Sequence, residues 1–149
     1  MNKKRVFLAS DHAGFKLKEI IKQHLKNKDV KDIGSFKFQK DDDYPDYIIP
    51  CAKAVAKNNN SIGIIIGLSG QGEAITANKI KGIHSIVYYS PNLEIIKLAR
   101  EHNNANILSL SSKFLTTKQA LSAIDLFIKT KFSNETRHKR RIKKIEKIK

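Results

Sequence analysis

Short apolar runs alternate along this chain with segments whose apolar residues recur every three or four positions. The runs predict five short buried strands, because a strand covered on both faces needs no polar alternation. They cover residues 6–10, 30–33, 62–66, 83–88 and 107–110. The periodic segments predict helices with one apolar stripe. They cover residues 13–25, 44–56, 73–79, 90–99, 116–128 and 133–149.

The alternation of strands and helices predicts an α/β fold. Strands joined by helical crossovers pair in parallel, so we expect a three-layer, doubly wound sheet of five parallel strands in Rossmann-like or flavodoxin-like order. The chain has 149 residues, which suits one domain with a real core and not two. We therefore assign residues 1–149 to a single domain.

The last predicted helix, residues 133–149, is basic along its length. Ile142, Ile145 and Ile148 recur in it every three residues among lysines and arginines. This apolar stripe is too narrow to hold the helix firmly on its own domain. We expect the helix to reach a partner subunit, and a frayed basic tail is the alternative.

A formal net charge of +15 raises the question of nucleic-acid binding. Proteins that recognise base edges in DNA favour arginine, and proteins that bind single-stranded nucleic acid stack its bases on aromatic side chains. Here tryptophan is absent and lysine far outnumbers arginine, so we interpret the charge as a solvated lysine surface. Specific nucleic-acid binding is not expected, and a basic binding protein is kept as an alternative.

Neither a membrane span nor a signal peptide is expected, because no apolar run is long enough for either. Cys51 is the only cysteine, which excludes an internal disulfide and a paired-cysteine metal site. These features predict a cytoplasmic protein without a membrane partner.

The most informative segment covers residues 62–78. An apolar run leads into a glycine-rich turn, whose free backbone N–H groups would face an anion or a developing oxyanion. Glu73 lies where the turn becomes a helix. An anion cradle beside a carboxylate suits the abstraction of a proton next to a carbonyl group.

The turn lacks the fingerprints of nucleotide cofactors. The motif Gly-x-Gly-x-x-Gly does not follow the first strand, and no Gly-Lys-Ser/Thr follows the turn, so neither NAD nor ATP is expected. Ser69 lacks the Gly-x-Ser-x-Gly context of a nucleophile. We predict that its hydroxyl group makes hydrogen bonds instead.

Polar segments follow three of the predicted strands. Asp11 and His12 follow the first strand, the glycine turn follows the third, and Lys113 follows the fifth. In open parallel sheets the ligand binds beyond the carboxyl ends of the strands. We expect all three segments at this edge, together with the histidine and asparagines of residues 102–104.

Five motifs give the chain a family resemblance. They are Ser10-Asp11-His12-Ala13-Gly14-Phe15, Asp43-Tyr44-Pro45, the segment 67–79, Arg100-Glu101-His102-Asn103-Asn104 and Arg137-His138-x-x-Arg141. With them the sequence resembles the type B ribose-5-phosphate isomerases over nearly its whole length. The same family includes the galactose-6-phosphate isomerase subunits. The resemblance implies an aldose–ketose isomerase of the non-oxidative pentose phosphate pathway, which interconverts ribose 5-phosphate and ribulose 5-phosphate through an enediolate, without a metal or other cofactor.

The resemblance also implies the catalytic roles. Some family members use a cysteine at the end of the third strand as the base, but here that position is Gly67. Others use a glutamate after the glycine turn, which implies that Glu73 moves the proton between C2 and C1. By the same resemblance, His102 opens the sugar ring.

Substrate contacts are implied in the same way. Ser69 would cradle the enediolate together with the backbone N–H groups of Gly70 and Gly72. Asp11 and Asn103 would hold sugar hydroxyl groups.

The same resemblance implies which residues bind the phosphate group. They are His12, Arg137, His138 and Arg141, and the last three would come from the neighbouring subunit. Arg137 and Arg141 are four residues apart, so they share a helix face that suits a phosphate. This implies a homodimer with a site shared between subunits, or a tetramer built from such dimers.

Two residues depart from the family pattern. Lys113 stands where many relatives have an arginine, so it keeps the charge and loses the bidentate fork. Leu68 stands where a glycine is usual, and a side chain there would narrow the site or restrict the turn. An isomerase of a six-carbon sugar phosphate, such as allose or galactose 6-phosphate, is the alternative within the enzyme class.

Overall fold

The computed structural model describes residues 3–148, which form an α/β domain around one five-stranded parallel sheet. The strands are β1 Arg5–Ser10, β2 Val30–Gly34, β3 Ser61–Gly67, β4 Ser85–Tyr88 and β5 Ile107–Ser111. The helices are α1 His12–His24, α2 Pro45–Ala56, α3 Gln71–Ala77, α4 Glu94–Asn103, α5 Thr117–Lys129 and α6 Thr136–Glu146. The predicted α/β class, with five parallel strands between layers of helices, is confirmed.

The strands lie in the order β2-β1-β3-β5-β4. The first three positions are those of the flavodoxin-like order, and β4 and β5 exchange places relative to it. Because β2 and β3 lie on opposite sides of β1, the topological switch point lies between β1 and β3. The register pairs Ser10 with Ile66 and Gly67 with Ser111, so β1, β3 and β5 end side by side.

Helices cover both faces of the sheet and enclose two apolar cores. Helices α1, α4 and α5 pack on the face that carries Leu8 and Ile64. Helices α2 and α3 pack on the opposite face, which carries Phe7 and Ile65. Strand β3 is buried at every position between these layers, which explains why its sequence is an unbroken apolar run.

Some element boundaries differ from the prediction. Helix α4 begins at Glu94 and not at residue 90, because the preceding residues form turns and Asn92 Oδ1 accepts a hydrogen bond from the Glu94 N–H at 3.0 Å. Helix α3 begins at Gln71, two residues earlier than predicted. The predicted helix 133–149 is present as α6, Thr136–Glu146, and its predicted last residue, Lys149, lies outside the described residues.

Helix α6 contacts α4 of its own chain, and His138 is the residue of α6 that this packing buries. That α6 reaches a partner subunit stays a prediction. Among residues 3–148, no helix combines the length and the apolar character that a membrane span needs.

Candidate active site

A cavity of about 540 Å³ opens at the carboxyl edge of the sheet, beside the switch point. It lies between the ends of β1 and β3 and the loop that joins β2 to α2. It is lined by Asp11, His12, Ala13, Phe38, Tyr44, Leu68, Ser69, Gly72 and Glu73. The structure therefore brings five predicted site residues together around a space that suits a small ligand.

A larger cavity, about 660 Å³, lies between residues 78–84 and 145–148. Its one carboxylate belongs to Glu146, which is half exposed and lies 3.3 Å from Nε2 of His84. Because none of its lining residues is a buried carboxylate, this surface offers less acid–base chemistry than the smaller cavity does.

Glu73 is the buried carboxylate of the active-site cavity. It is the third residue of α3, and only 4% of it is exposed. Burial raises the pKa of its carboxyl group; its own backbone N–H opposes this rise and the charge of Asp11 adds to it. A carboxylate that is costly to keep ionised has a stronger tendency to take a proton, as a general base must.

Gly67, the last residue of β3, lies directly against Glu73. A Cβ atom at position 67 would overlap Oε1 and Cδ of Glu73. The carboxyl group of Glu73 therefore fills the space that any side chain at position 67 would occupy. A cysteine base at position 67 and the carboxyl group of Glu73 would therefore occupy the same space. This steric conflict explains why a chain that has Glu73 has glycine at position 67.

The glycine turn presents unpaired backbone N–H groups. Gly70 has a φ of +81°, in the left-handed region that favours glycine, and its carbonyl accepts a hydrogen bond from Ser109 Oγ at 2.6 Å. Within residues 3–148 the N–H groups of Gly70 and Gly72 have no protein acceptor. The Ser69 hydroxyl accepts a bond from the N–H of Gln71 at 3.3 Å, so it belongs to the same turn. This arrangement can receive an oxyanion.

Tyr44 closes the wall opposite the turn. A Cβ atom at position 72 would lie 2.5 Å from the Tyr44 hydroxyl oxygen, so a glycine is needed where this ring approaches the backbone. Leu68, 55% exposed, lines the same cavity. That its side chain narrows the site stays a prediction.

Asp11 and His12 mark the start of α1. The Asp11 carboxylate caps the helix by accepting hydrogen bonds from Ala13 N–H (3.0 Å) and Gly14 N–H (3.4 Å). Burial raises the pKa of Asp11, and the charge of His12 opposes the rise. His12 donates to Asp42, and this hydrogen bond is the main cause that raises the pKa of His12.

Asp42 was not predicted as a site residue. It is one of three consecutive aspartates in a segment that the sequence indicates to be a charged loop, and nothing in the sequence distinguishes it from its neighbours. Asp11, His12 and Asp42 each have a ligand atom within 4.8 Å of the other two. Because Nδ1 of His12 carries the hydrogen that Asp42 Oδ1 accepts, this nitrogen has no lone pair for a cation, and we assign the three residues to hydrogen bonding and not to a metal site.

A second cluster of predicted residues lies elsewhere in the chain, where α4 meets α6. The rings of His102 and His138 stack with centroids 4.2 Å apart. Burial lowers the pKa of His138, and the positive charges of His102 and Arg137 lower it further. Asn103 and Arg141 are exposed beside this pair.

The expectation that residues 102–104 lie at the ligand edge was wrong. Helix α4 starts beyond the carboxyl end of β4 and runs back, so its last residues lie at the amino edge of the sheet. Asn104 accordingly lines a cavity of about 430 Å³ with Lys4 and Asn60, which precede β1 and β3. In one chain, His102 and Glu73 are at opposite edges.

Lys113 is at the ligand edge, as predicted. Its backbone N–H donates to the Leu68 carbonyl at 3.1 Å, while Ser112 N–H donates to the Gly67 carbonyl at 2.9 Å. Its exposed ammonium group lies 5.7 Å from the ring centroid of Phe114. The loop after β5 is thus tied to the glycine turn, and it carries a positive charge beside the cavity.

Cys51 is fully buried in α2, and burial raises the pKa of its thiol to about 12. A thiol in this state stays protonated near neutral pH and is inaccessible, so it offers no nucleophile.

The fold and the site define a class of protein. A doubly wound α/β domain with a buried carboxylate and free backbone amides at its switch point is typical of enzymes that bind a small anionic molecule and move a proton on it. The ribose/galactose isomerase family model matches residues 6–145. The chain belongs to the ribose/galactose isomerase family.

Individual relatives agree with this assignment. Ribose-5-phosphate isomerase B from Mycoplasma genitalium, crystallised with bound ribulose 5-phosphate, has a TM-score of 0.89 and 42% identity, covering 95% of this chain and 93% of that one. The type B enzyme from Trypanosoma brucei has a TM-score of 0.92 at 30% identity, over 99% and 100% of the two chains. Ribose-5-phosphate isomerase B from Mycolicibacterium paratuberculosis is 42% identical over 140 residues, which are 93% of this chain and 87% of that protein.

Proposed function

We propose that this protein is an aldose–ketose isomerase that interconverts ribose 5-phosphate and ribulose 5-phosphate through an enediolate. The observation that carries the proposal is the buried carboxylate of Glu73, which lines the cavity beside the unpaired N–H groups of Gly70 and Gly72. Family membership and the ribulose 5-phosphate bound to the Mycoplasma genitalium relative support the choice of substrate.

The proposed mechanism is a proton transfer by Glu73. The ionised carboxylate takes the proton from C2 of the open-chain aldose and returns it to C1, while the hydroxyl proton of O2 passes to O1. The N–H groups of Gly70 and Gly72, with the Ser69 hydroxyl, stabilise the negative charge of the enediolate. Asp11 would orient the sugar hydroxyl groups from the opposite wall.

The remaining proposed groups require a second subunit. These groups all lie in the second cluster, where α4 meets α6 at the amino edge of the sheet. They are His102 for ring opening, Asn103 for sugar hydroxyls, and Arg137, His138 and Arg141 for the phosphate. A two-fold pairing that places the amino edge of one chain against the carboxyl edge of its partner would complete two equivalent sites. His12 and Lys113 would add positive charge from the carboxyl edge.

Exposed apolar side chains support such a homodimer. Leu68 and Ile75 lie on the segments that carry Glu73, and Leu98 lies on α4 near His102. Exposed apolar surface beside a site is typical of an interaction face. A cytoplasmic location is also proposed, because the chain has a single, buried cysteine and its fold does not depend on disulfides.

The function is tested by assaying the purified protein with ribose 5-phosphate and with the 6-phosphates of allose and galactose. We expect the higher kcat/KM with the pentose, since Leu68 lines the cavity and its side chain takes up room that a glycine would leave for a longer sugar. A preference of about tenfold or more for a hexose phosphate would move the assignment to the six-carbon alternative.

Sharing of the site predicts complementation between two damaged subunits. Glu73→Gln removes the base on one side of the site, and Arg137→Ala removes a phosphate ligand on the other. After complete subunit exchange, half of the dimers are mixed and each has one intact site, so about a quarter of the wild-type activity should return. The measurement is the isomerase rate before and after exchange.

The matched control mixes Glu73→Gln with Gly67→Ala, two lesions on the same side of the site. Each mixed dimer then has one lesion in each site, and no activity should return. Recovery in the control, or no recovery in the first mixture after verified exchange, would contradict the shared site.

A further inference from the structure

Asp42 is a buried carboxylate to which the proposed reaction gives no role. Its side chain is 5% exposed, whereas its neighbours Asp41 and Asp43 are exposed residues. Its Oδ1 accepts two hydrogen bonds from His12, from Nδ1 at 2.7 Å and from the backbone N–H at 3.0 Å. One bond orients the imidazole ring, and the other joins the loop after β2 to the start of α1.

The hydrogen bond to Asp42 decides which nitrogen of His12 faces a ligand. A carboxylate accepts only, so Nδ1 carries a hydrogen and Nε2 is left for the ligand. The ring lines the cavity and is 35% exposed. In a neutral ring Nε2 would be a lone-pair acceptor, which repels a phosphate oxygen, whereas in the imidazolium it is a donor.

We propose that Asp42 is a positioning residue that keeps His12 in the cationic, Nε2–H-donating form that binds the substrate phosphate. This inference rests on the proposed function. An ordinary histidine has a pKa of about 6.5 and a phosphate monoester a second pKa of about 6, so the cation and the dianion coexist only over a narrow pH interval. By stabilising the imidazolium, Asp42 extends this interval to higher pH.

The other groups that face His12 have smaller or opposing effects. Oδ2 of Asp11 is 3.8 Å from Nδ1, and Asp41 acts through space; both favour the imidazolium, while burial opposes it. Across the cavity, α3 contributes the carboxyl group of Glu73. The arginines proposed to come from the partner's α6 would oppose protonation of His12 until a phosphate neutralises them.

Asp42→Asn tests the proposal, because asparagine keeps the Oδ1 acceptor and removes the charge. Near pH 8 we expect the KM for ribose 5-phosphate to rise about tenfold while kcat stays within about twofold. Near pH 5.5 the KM values should agree within about twofold, because His12 is then protonated in both proteins. The pKa of His12, measured by NMR, should fall toward its ordinary value in the variant.

Asp41→Asn is the matched control, since it removes an adjacent, exposed carboxylate that makes no hydrogen bond to His12. Its KM near pH 8 should stay within about twofold of wild type. An equal rise in KM for Asp42→Asn at both pH values would indicate a structural role and overturn the proposal. An unchanged His12 titration would also overturn it.

The same NMR titration separates this proposal from the proposed function. If wild type fails to convert ribose 5-phosphate, the function is wrong, but the titration can be repeated with inorganic phosphate. Phosphate should raise the pKa of His12 in wild type and bind more weakly to Asp42→Asn near pH 8. Equal phosphate binding by the two proteins would reject the role of Asp42.

Discussion

Replacing Glu73 by glutamine is expected to lower kcat for ribose 5-phosphate by about a thousandfold, within the ~10²–10⁴-fold range of general base catalysis. Glutamine has nearly the same shape but cannot take the C2 proton. The glycine turn and the cationic groups stay in place, so the affinity for inorganic phosphate should change by less than about threefold. Steady-state assays and calorimetric titration with phosphate measure the two quantities.

Glu94→Gln is the matched control for Glu73→Gln. Glu94 also lies in the first turn of a helix, but it is exposed and is not one of the residues that line the cavity. This variant should keep nearly full activity. If Glu73→Gln retained more than about a tenth of the wild-type kcat, Glu73 would not be the base.

The raised pKa of Glu73 also predicts two pH dependences. The base must be ionised, so kcat/KM should fall as the pH drops through a pKa that burial holds above that of an exposed glutamate. The free energy of unfolding follows the opposite trend. Ionising the buried carboxyl group of Glu73 costs free energy in the folded state, so the protein loses stability as the pH rises through that pKa. Near pH 7 the uncharged Glu73→Gln should therefore melt at a temperature at least as high as wild type does.

Replacing Gly67 by alanine is expected to lower kcat about a hundredfold without preventing folding. The new methyl group would overlap the carboxyl group of Glu73, which must swing away. Because that carboxyl group ends a flexible side chain, the backbone need not move. A shift of about 1 Å in a catalytic group costs on the order of 10²-fold in rate. Thermal unfolding and the isomerase assay measure the two effects separately.

Gly63→Ala provides the comparison within the same strand. A Cβ atom at position 63 would lie 3.0 Å from Ile107 Cγ1 and 3.1 Å from Val55 Cγ2, so it would crowd the apolar core. We expect a lower melting temperature with kcat within about twofold of wild type. Equal kcat values for Gly67→Ala and wild type would show that the Glu73 carboxyl group has no fixed catalytic position.

The segment from β3 to α3 shows how much local sequence can specify. An apolar run, a glycine turn and an acidic residue follow one another within 17 positions, residues 62–78. Each part depends on backbone preferences and short-range hydrogen bonds, so the buried strand, the free N–H groups and the position of Glu73 could all be predicted. The family motifs could be identified for the same reason.

Asp42 illustrates the opposite case. Three aspartates in a row look equally solvated in a sequence, yet the loop after β2 folds over α1 and buries only the middle one against His12. Burial of one side chain among identical neighbours depends on the path of a loop relative to a distant helix. No local preference encodes that path.

The sequence by itself determined the α/β class, the glycine turn with its carboxylate, the absence of a cysteine at position 67 and the family. These depend on residue type and near-neighbour spacing. Tertiary structure alone decided the strand order, the burial of Asp42 and the separation of His102 from Glu73. A crossover helix returns to the amino edge before the next strand begins, so residues from motifs that seem to belong to one site end at opposite edges of the sheet.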